Sequence, residues 1–145
     1  NIQAIYAVYG RQNLLTSNIR NELFRYTNGI LRRLNIFPLS VGGYKDHVHI
    51  FFELPVSIPV SKVLQGVKAN SSKWINEQKI VMGKFKWQEG FGAFTYSKSQ
   101  INSVVKYILN QPEHHKKSTF RDEYINFLKK FEIDYNDKYL FKWND

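Results

Sequence analysis

The sequence predicts an α+β domain in which an antiparallel sheet carries helices on one of its faces. Two kinds of segment lead to this fold class. Short runs with strand-like alternation and longer runs with apolar residues at helical spacing follow one another in a fixed order. The order is strand, helix, strand, strand, helix, strand, which is the split βαβ order of ferredoxin-like domains. Further helical segments follow it and predict an extra C-terminal helical part.

The first half of the chain predicts a strand, a helix and two more strands. Apolar residues within residues 16–35 recur three and four positions apart, which is typical of a helix with one buried side. Gly42 and Gly43 start the turn between the second and third strands. The predicted strands are residues 2–10, residues 36–44 and the segment from that turn to Pro55.

The second half predicts three helices and one strand. Pro59 suits the first turn of a helix over residues 57–78. A segment with several glycines, residues 83–97, leads into the fourth strand. The third helix covers residues 97–111, and Pro112 ends or kinks it because proline lacks the backbone N–H that a helix needs. A last helix covers residues 119–131.

The chain length of 145 residues suits one domain with its own core. We expect a single domain over residues 1–145. The sheet and its packing helices occupy about residues 1–97, and the third helix and the C-terminal helix occupy about residues 98–145.

The composition indicates a polyanionic partner. The formal net charge is +9, which favours nucleic acid, and the aromatic content of 16% can supply stacking surfaces for unpaired bases. The chain has no cysteine, so disulfides, thiolate zinc sites and a cysteine nucleophile are excluded. No apolar run is long enough to span a membrane. We therefore expect a cytoplasmic protein with no membrane association, and the family resemblance described below implies a bacterial one.

The third predicted strand carries two histidines on one face. Side chains alternate along a strand, so His47 and His49 share a face with Phe51 and Glu53, while the other face is wholly apolar. The apolar face should meet the helices. The histidine face then looks out from the other side, free for a ligand or for the third helix. Two imidazoles one strand repeat apart can bind one metal ion or phosphate, although such a pair is often only solvated.

The third predicted helix carries a phenol and an amide at the edge of its apolar stripe. Tyr107 and Gln111 are four residues apart and so lie one helical turn from each other. By spacing alone, an ordinary boundary tyrosine and a polar residue at the helix end explain them better than a site does.

Four segments extend the pattern across the chain: DHVHIFFELP, KANSSKWINE, KWQEGFGAFTYSKSQ and VVKYILNQPEHH. Their content and order resemble the single-tyrosine HUH transposases of small bacterial insertion sequences, the insertion-sequence 200-like group. The resemblance covers essentially the whole chain. It implies that His47, His49 and Gln111 bind a divalent metal, Mg²⁺ or Mn²⁺, and that Tyr107 attacks a DNA phosphate.

The resemblance also implies partners. Its members act on single-stranded DNA that folds into hairpins near the element ends. They are homodimers in which each site takes its histidines from one subunit and its tyrosine from the other. The implied reaction is cleavage and rejoining of DNA through a 5′-phosphotyrosine intermediate, with a free 3′-hydroxyl on the other product.

These residue types suit that chemistry. Neutral imidazoles and an amide leave the full charge of the ion available to a phosphate, and imidazole with amide oxygen suits manganese or magnesium. A tyrosine ester stores the energy of the broken bond, so a second strand can be joined without ATP.

Other side chains are weaker candidates. Asp46 could orient a histidine through its second ring nitrogen or could be a turn residue. His114 and His115 could touch phosphate, although surface positions explain them better. Trp87, Phe91 and Tyr96 could stack bases or fill the core. The candidate DNA contacts are Lys45, Lys68, Lys73, Asn110, His114 and Lys116, with Lys117 beside them.

Two other functions remain open. A domesticated repeat-associated HUH nuclease or a rolling-circle-type initiator would use the same chemistry. Initiators usually carry more domains or a second tyrosine beside the first. A non-catalytic module that binds single-stranded nucleic acid would use the sheet alone. It does not explain why two histidines, a tyrosine and a glutamine occur together.

Overall fold

A computed structural model describes residues 1–131 of the chain and confirms the predicted α+β fold. The strands are β1 (Ile2–Ala7), β2 (Phe37–Gly43), β3 (His47–Glu53) and β4 (Gly92–Thr95). The helices are α1 (Ser17–Arg33), α2 (Val60–Glu77), α3 (Ile101–Leu109), α4 (Gln111–His114) and α5 (Phe120–Lys130). Short 3₁₀ turns lie at Tyr9–Arg11 and Lys98–Gln100.

The four strands form one antiparallel sheet in the order β2-β3-β1-β4. The strand with the histidine pair is therefore central, between β1 and the edge strand β2. Pro38 lies in that edge strand, beside a register shift between Pro38 and Ser40, where a residue without an N–H costs least. Ala7 of β1 pairs with His47, and Ile5 pairs with His49.

Helices α1 and α2 cover the first face of the sheet. The apolar side chains of β3 predicted to face them are fully buried there, together with Leu23 and Leu31 of α1 and Leu64 and Val67 of α2. Trp87 belongs to the same core, and its indole N–H donates to Ser71. Each large side chain buried in this way stabilises the fold by about 1.5–3 kcal/mol relative to an exposed one.

The second face of the sheet, which carries the histidines, is covered by α3 and α5. Val104 and Ile108 of α3 pack on this face, with Phe120 and Phe127 of α5, and they bury Phe51 of β3 completely. Of the two possibilities left by the sequence, the structure therefore shows the helical one. These helices are amphipathic, and their apolar stripes need a surface to pack on.

Pro112 ends the third helix as predicted. Helix α3 stops at Leu109, and a new short helix begins at Gln111 with Pro112 in its first turn. Gln111 is thus displaced from the helix that carries Tyr107. The last helix begins at a cap in which the Thr119 hydroxyl accepts from the backbone N–H of Asp122.

Within residues 1–131, no helix has both the length and the apolar character needed to cross a lipid bilayer.

Candidate active site

The two histidines of β3 are fully buried beneath α3 and α5. Nδ1 of His47 lies 2.8 Å from Oδ1 of Asp46, which is itself buried. The Asp46 carboxylate accepts a hydrogen bond from this nitrogen and so turns Nε2 of His47 towards the helices. Of the two positions that the sequence left open for Asp46, the structure shows the one beside the histidine.

His49 is held by a residue of the neighbouring strand β1. The Gln3 amide lies 2.9 Å from Nδ1 of His49. Nε2 of His49 faces Glu123 of α5, whose Oε1 is 3.3 Å away. Both histidines thus direct Nε2 to one point between the sheet and the C-terminal helices.

Gln111 reaches that point from α4. Its Oε1 lies 2.9 Å from Nε2 of His47 and 3.0 Å from Nε2 of His115. The Gln111 side chain is fully buried. The helix break before Pro112 therefore does not take this amide away from the histidines, and the three side chains expected to bind metal lie together.

Glu123 is the centre of the cluster, and it is not among the site residues predicted from the sequence. Its Oε2 accepts from the Gln111 amide at 2.8 Å and from the Tyr107 hydroxyl in a shorter contact. Its Oε1 lies 3.4 Å from His47 and 3.2 Å from His115. The sequence does contain a pattern that could have identified Glu123. Glu123 is an acidic residue three positions after Phe120 and four before Phe127, so it lies on the apolar stripe of a helix.

His115 also joins the cluster, contrary to the surface position expected for it. Its side chain is 3% exposed, and Nδ1 lies 2.8 Å from the Ser118 carbonyl oxygen. Its ring stacks on Tyr44. The turn after α4 folds this side chain inwards. His114 stays partly exposed, with Nε2 3.5 Å from both the Tyr107 hydroxyl and Glu123.

Tyr107 reaches the cluster from α3 of the same chain. Burial raises the pKa of its phenol well above the ordinary value, and the negative charge of Glu123 raises it further. The phenol is neutral in this state and donates to Glu123. The resemblance implies a site shared by two subunits, and in this chain Tyr107 and both histidines also meet within one subunit. The physical reason is that α3 packs on its own sheet.

In the cluster, the negative carboxylates and the positive His47 stabilise each other's charged forms. Burial lowers the pKa of His47, but its contacts with Asp46 and Glu123 outweigh burial and raise that pKa to about 9. Burial lowers the pKa of His49, against the opposing effect of Glu123. Burial also raises the pKa of Glu123, but the surrounding histidines outweigh it and hold the pKa well below its usual range.

The donor set fits a divalent cation. Ligand atoms of His47, His115 and Glu123 all lie within 4.8 Å of one another. Nε2 of His47 also faces the Gln111 carbonyl oxygen, so several lone pairs point at one place. Such a group is stable only with a proton or a cation among them. The mixture of imidazole, amide and carboxylate ligands is compatible with manganese and magnesium.

The candidate DNA contacts lie in different parts of the molecule. Lys45 is exposed beside Tyr44, which stacks on His115, so it lies near the cluster. Lys68 and Lys73 belong to α2 on the opposite face of the sheet. The Lys68 amine donates to the carbonyl oxygens of Gln88 and Gly90, and Lys73 pairs with Glu77.

The remaining candidates lie near α4. Lys116 pairs with Glu113 at 2.9 Å, and Asn110 is an exposed residue at the end of α3. The three aromatic candidates are packed against the sheet. Trp87 and Tyr96 are largely buried, and Phe91 packs on the core beneath α1 and α2.

The solved structures that share this fold include two transposases. A protein from Deinococcus radiodurans R1 assigned as a transposase is 16% identical, with a TM-score of 0.61 over 76% of this chain and 88% of that one. A REP-associated tyrosine transposase bound to a REP hairpin is 17% identical, with a TM-score of 0.58 over 79% of this chain and 67% of that one. A comparison with curated proteins gives no match.

A family model provides the assignment. The model described as Transposase IS200 like matches residues 1–111, from β1 to Gln111. The match includes both histidines and Tyr107, whereas His115 and Glu123 lie beyond it. Because well over half of the sequence matches, this chain belongs to the IS200-like transposase family.

Proposed function

We propose that this transposase cleaves and rejoins single-stranded DNA at hairpin-containing element ends through a 5′-phosphotyrosine intermediate. One observation carries the proposal. The Tyr107 hydroxyl, both β3 histidines and Gln111 meet in one buried cluster around Glu123. A nucleophile beside a group of metal-binding side chains is the arrangement that phosphoryl transfer requires.

Each side chain has a part in the proposed reaction. The Tyr107 oxygen attacks the phosphorus and forms the phosphotyrosine ester, while its proton passes to the Glu123 carboxylate, its present acceptor. The bond from phosphorus to the 3′-oxygen breaks, and this oxygen leaves with the electron pair and takes a proton from solvent. His47, His49 and Gln111 would hold the cation, with Glu123 and His115 adjacent. When bound, the ion acts as a Lewis acid on the phosphate.

Rejoining is the same reaction in reverse. A 3′-hydroxyl of another strand attacks the phosphotyrosine ester and releases its proton to solvent. The tyrosine oxygen leaves with the electron pair and regains its proton from Glu123. Hairpin DNA is the proposed substrate because the solved REP-associated relative is bound to a hairpin. The net charge of +9 favours such a polyanion, and Lys45 lies near the cluster to contact it.

The test is covalent trapping. Tyr107→Phe should abolish the protein–DNA adduct that forms with manganese and single-stranded hairpin DNA, and it should leave hairpin binding within about twofold. Phenylalanine keeps the ring and removes only the nucleophilic oxygen. Tyr26→Phe is the matched control, because Tyr26 is a half-buried tyrosine that stacks on Trp74 in the opposite layer. An adduct that persists in Tyr107→Phe would overturn the proposal.

The REP-associated relative favours a second candidate function. The same chemistry could serve hairpins of dispersed chromosomal repeats, with the chain as a domesticated nuclease. The DNA on each side of the gene separates the two. Inverted hairpins at both ends of one short element support transposition, and hairpins repeated elsewhere in the genome support the second candidate.

A further inference from the structure

A cavity of about 470 Å³ opens beside the proposed nucleophile. It lies between the β1–β4 side of the sheet and the helices α3 and α5. Its wall includes Gln3, Tyr96, Ser103, Tyr107, Asn126 and Phe127. This volume is in the range of sites that bind small organic ligands. A group in the cavity would lie next to the atom that attacks the phosphate.

Gln3 supplies an unsatisfied polar group in the wall. Its side chain is fully buried, and one end of its amide bonds Nδ1 of His49. The other end, Oε1, has no hydrogen-bond partner. Oxygen and nitrogen of an amide exchange places when the group turns over, so one polar atom lacks a partner in either orientation. A buried polar atom of this kind costs about 1–3 kcal/mol unless a ligand satisfies it.

The rest of the wall combines aromatic and amide groups. Tyr96 and Phe127 supply flat apolar surface, and Asn126 adds a second amide at the exposed rim. The Lys130 amine lies 5.6 Å above the Tyr96 ring, so a cation stands at the mouth. An unpaired nucleobase matches this set, because it has an aromatic face, a hydrogen-bonding edge and an attached phosphate.

We propose that the cavity holds one unpaired nucleobase beside the scissile phosphate and that Gln3 reads its hydrogen-bonding edge. The inference rests on the proposed function, since it names a determinant of the DNA sequence cut there. The rim residues Asn126 and Lys130 contact the same nucleotide. The base is selected by protein side chains at this position.

The experiment selects strands by binding in the Tyr107→Phe background, so that it does not depend on cleavage. Fully randomised single-stranded DNA is the probe, and the bound strands are sequenced. Adducts of the wild-type protein are sequenced in parallel to locate the cut. We expect one flanking position with a preference of roughly tenfold for one base, as a good amide-to-base contact provides.

Two variants test the cavity residues. Gln3→Met keeps the volume of the side chain and removes both polar atoms, so the preference at that position should fall to about twofold or less. Asn126→Ala, which lies on the exposed rim and away from the metal-binding side chains, should reduce it partially. Gln78→Met is the matched control on the exposed end of α2 and should keep the full preference.

The outcomes separate this inference from the proposed function. A preference that is absent in the parent protein, or unchanged in both Gln3→Met and Asn126→Ala, overturns the nucleobase site. If Gln3→Met does not fold, Asn126→Ala decides alone. If the wild-type protein forms no adduct but the base preference exists and falls in the variants, the cavity assignment stands and the proposed chemistry fails.

Discussion

At the scale of single residues, Glu123 connects the nucleophile with the histidines. It contacts Tyr107 and Gln111 through one oxygen and three histidines through the other. A buried carboxylate is stable only with such partners. Burial keeps the phenol neutral in this state, and the charge of Glu123 adds to that effect. Asp46 and Glu123 together make His47 hold a proton more tightly than a free histidine does.

The first prediction concerns metal binding. His49→Ala should weaken the binding of manganese at least tenfold, because Nε2 of His49 points at the cluster. Calorimetric titration measures the affinity for manganese. His114→Ala is the control, because this histidine is partly exposed at the edge of the cluster. The manganese affinity of this variant should stay within about threefold of the wild-type value. Equal binding by His49→Ala and the wild-type protein would remove His49 from the set of ligands.

The second prediction concerns the proton on His47 in chelator-treated protein. Its pKa of about 9 is above the ordinary 6.5, so its charge stabilises the fold fully below pH 6.5, and this contribution is lost as pH rises through about 9. Glu123→Gln should lower this pKa, because it removes one of the two neighbouring negative charges. Ring resonances of histidine, followed by NMR against pH, measure the change.

Glu113→Gln is the control for that titration. Glu113 is exposed and pairs with Lys116, so its removal should leave the pKa of His47 in place. A pKa that is the same in Glu123→Gln and in the wild-type protein would show that Asp46 alone accounts for the shift.

At the scale of elements, the position of α3 on the sheet determines where Tyr107 lies. Gly42 of β2 makes this contact possible. A Cβ at Gly42 would come within 2.5 Å of the Ile108 carbonyl oxygen and 2.7 Å of its Cγ2. The glycine therefore lets the backbone of α3 approach β2 at the residue directly after Tyr107.

The third prediction tests that contact. Gly42→Ala should destabilise the fold by about 1–3 kcal/mol, because overpacking against backbone cannot be relieved by a rotamer change. It should also reduce adduct formation at temperatures where the variant is folded, since α3 must shift. Gly29→Ala in α1 is the control. Nothing lies within 4 Å of its added Cβ, and it should stabilise the helix by about 0.5–1 kcal/mol.

Thermal melting and adduct assays on the same samples measure both effects. If Gly42→Ala melts like the wild-type protein and forms the adduct at the normal rate, the close approach of α3 is not what positions Tyr107.

At the scale of the whole molecule, one chain contains every side chain proposed for the reaction. Sheet, α3, α4 and α5 each contribute, and no second copy is needed to bring Tyr107 to His47 and His49. A homodimer, which the family resemblance implies, remains a proposal. Subunit exchange distinguishes a dimer with two separate sites from a dimer with shared ones.

The fourth prediction is that mixed subunits do not complement each other. Tyr107→Phe keeps its histidines, and His49→Ala keeps its tyrosine. With each site within one chain, every site of a heterodimer lacks one component, and cleavage should stay at background. Differently tagged subunits and sedimentation show whether heterodimers form. Recovery of cleavage in such heterodimers would show that the tyrosine helix crosses to the partner.

Much of this structure follows from local pattern. The alternation along β3 placed both histidines on one face, and helical spacing placed Tyr107 at the boundary of α3. The order of strands and helices was sufficient for the α+β fold. These features depend on neighbours a few positions apart, so one sequence contains the information.

The position of Gln111 could not be predicted from helical spacing alone. A continuous helix would have placed it directly over Tyr107, whereas the chain starts a new helix at this residue. Its contact with His47 depends on how α4 lies against the sheet. Helix spacing does not contain that information.

The sequence by itself determined the kinds of element, the shared face of the histidine pair, and the presence of a tyrosine and a glutamine able to act with it. Only the tertiary structure decided that Glu123 and His115 complete the cluster and that α3 and α5 close the histidine face. The physical reason is separation along the chain. Glu123 lies 74 residues from His49, and no periodic pattern relates positions so far apart. Their contact depends on how two amphipathic helices pack across the whole sheet.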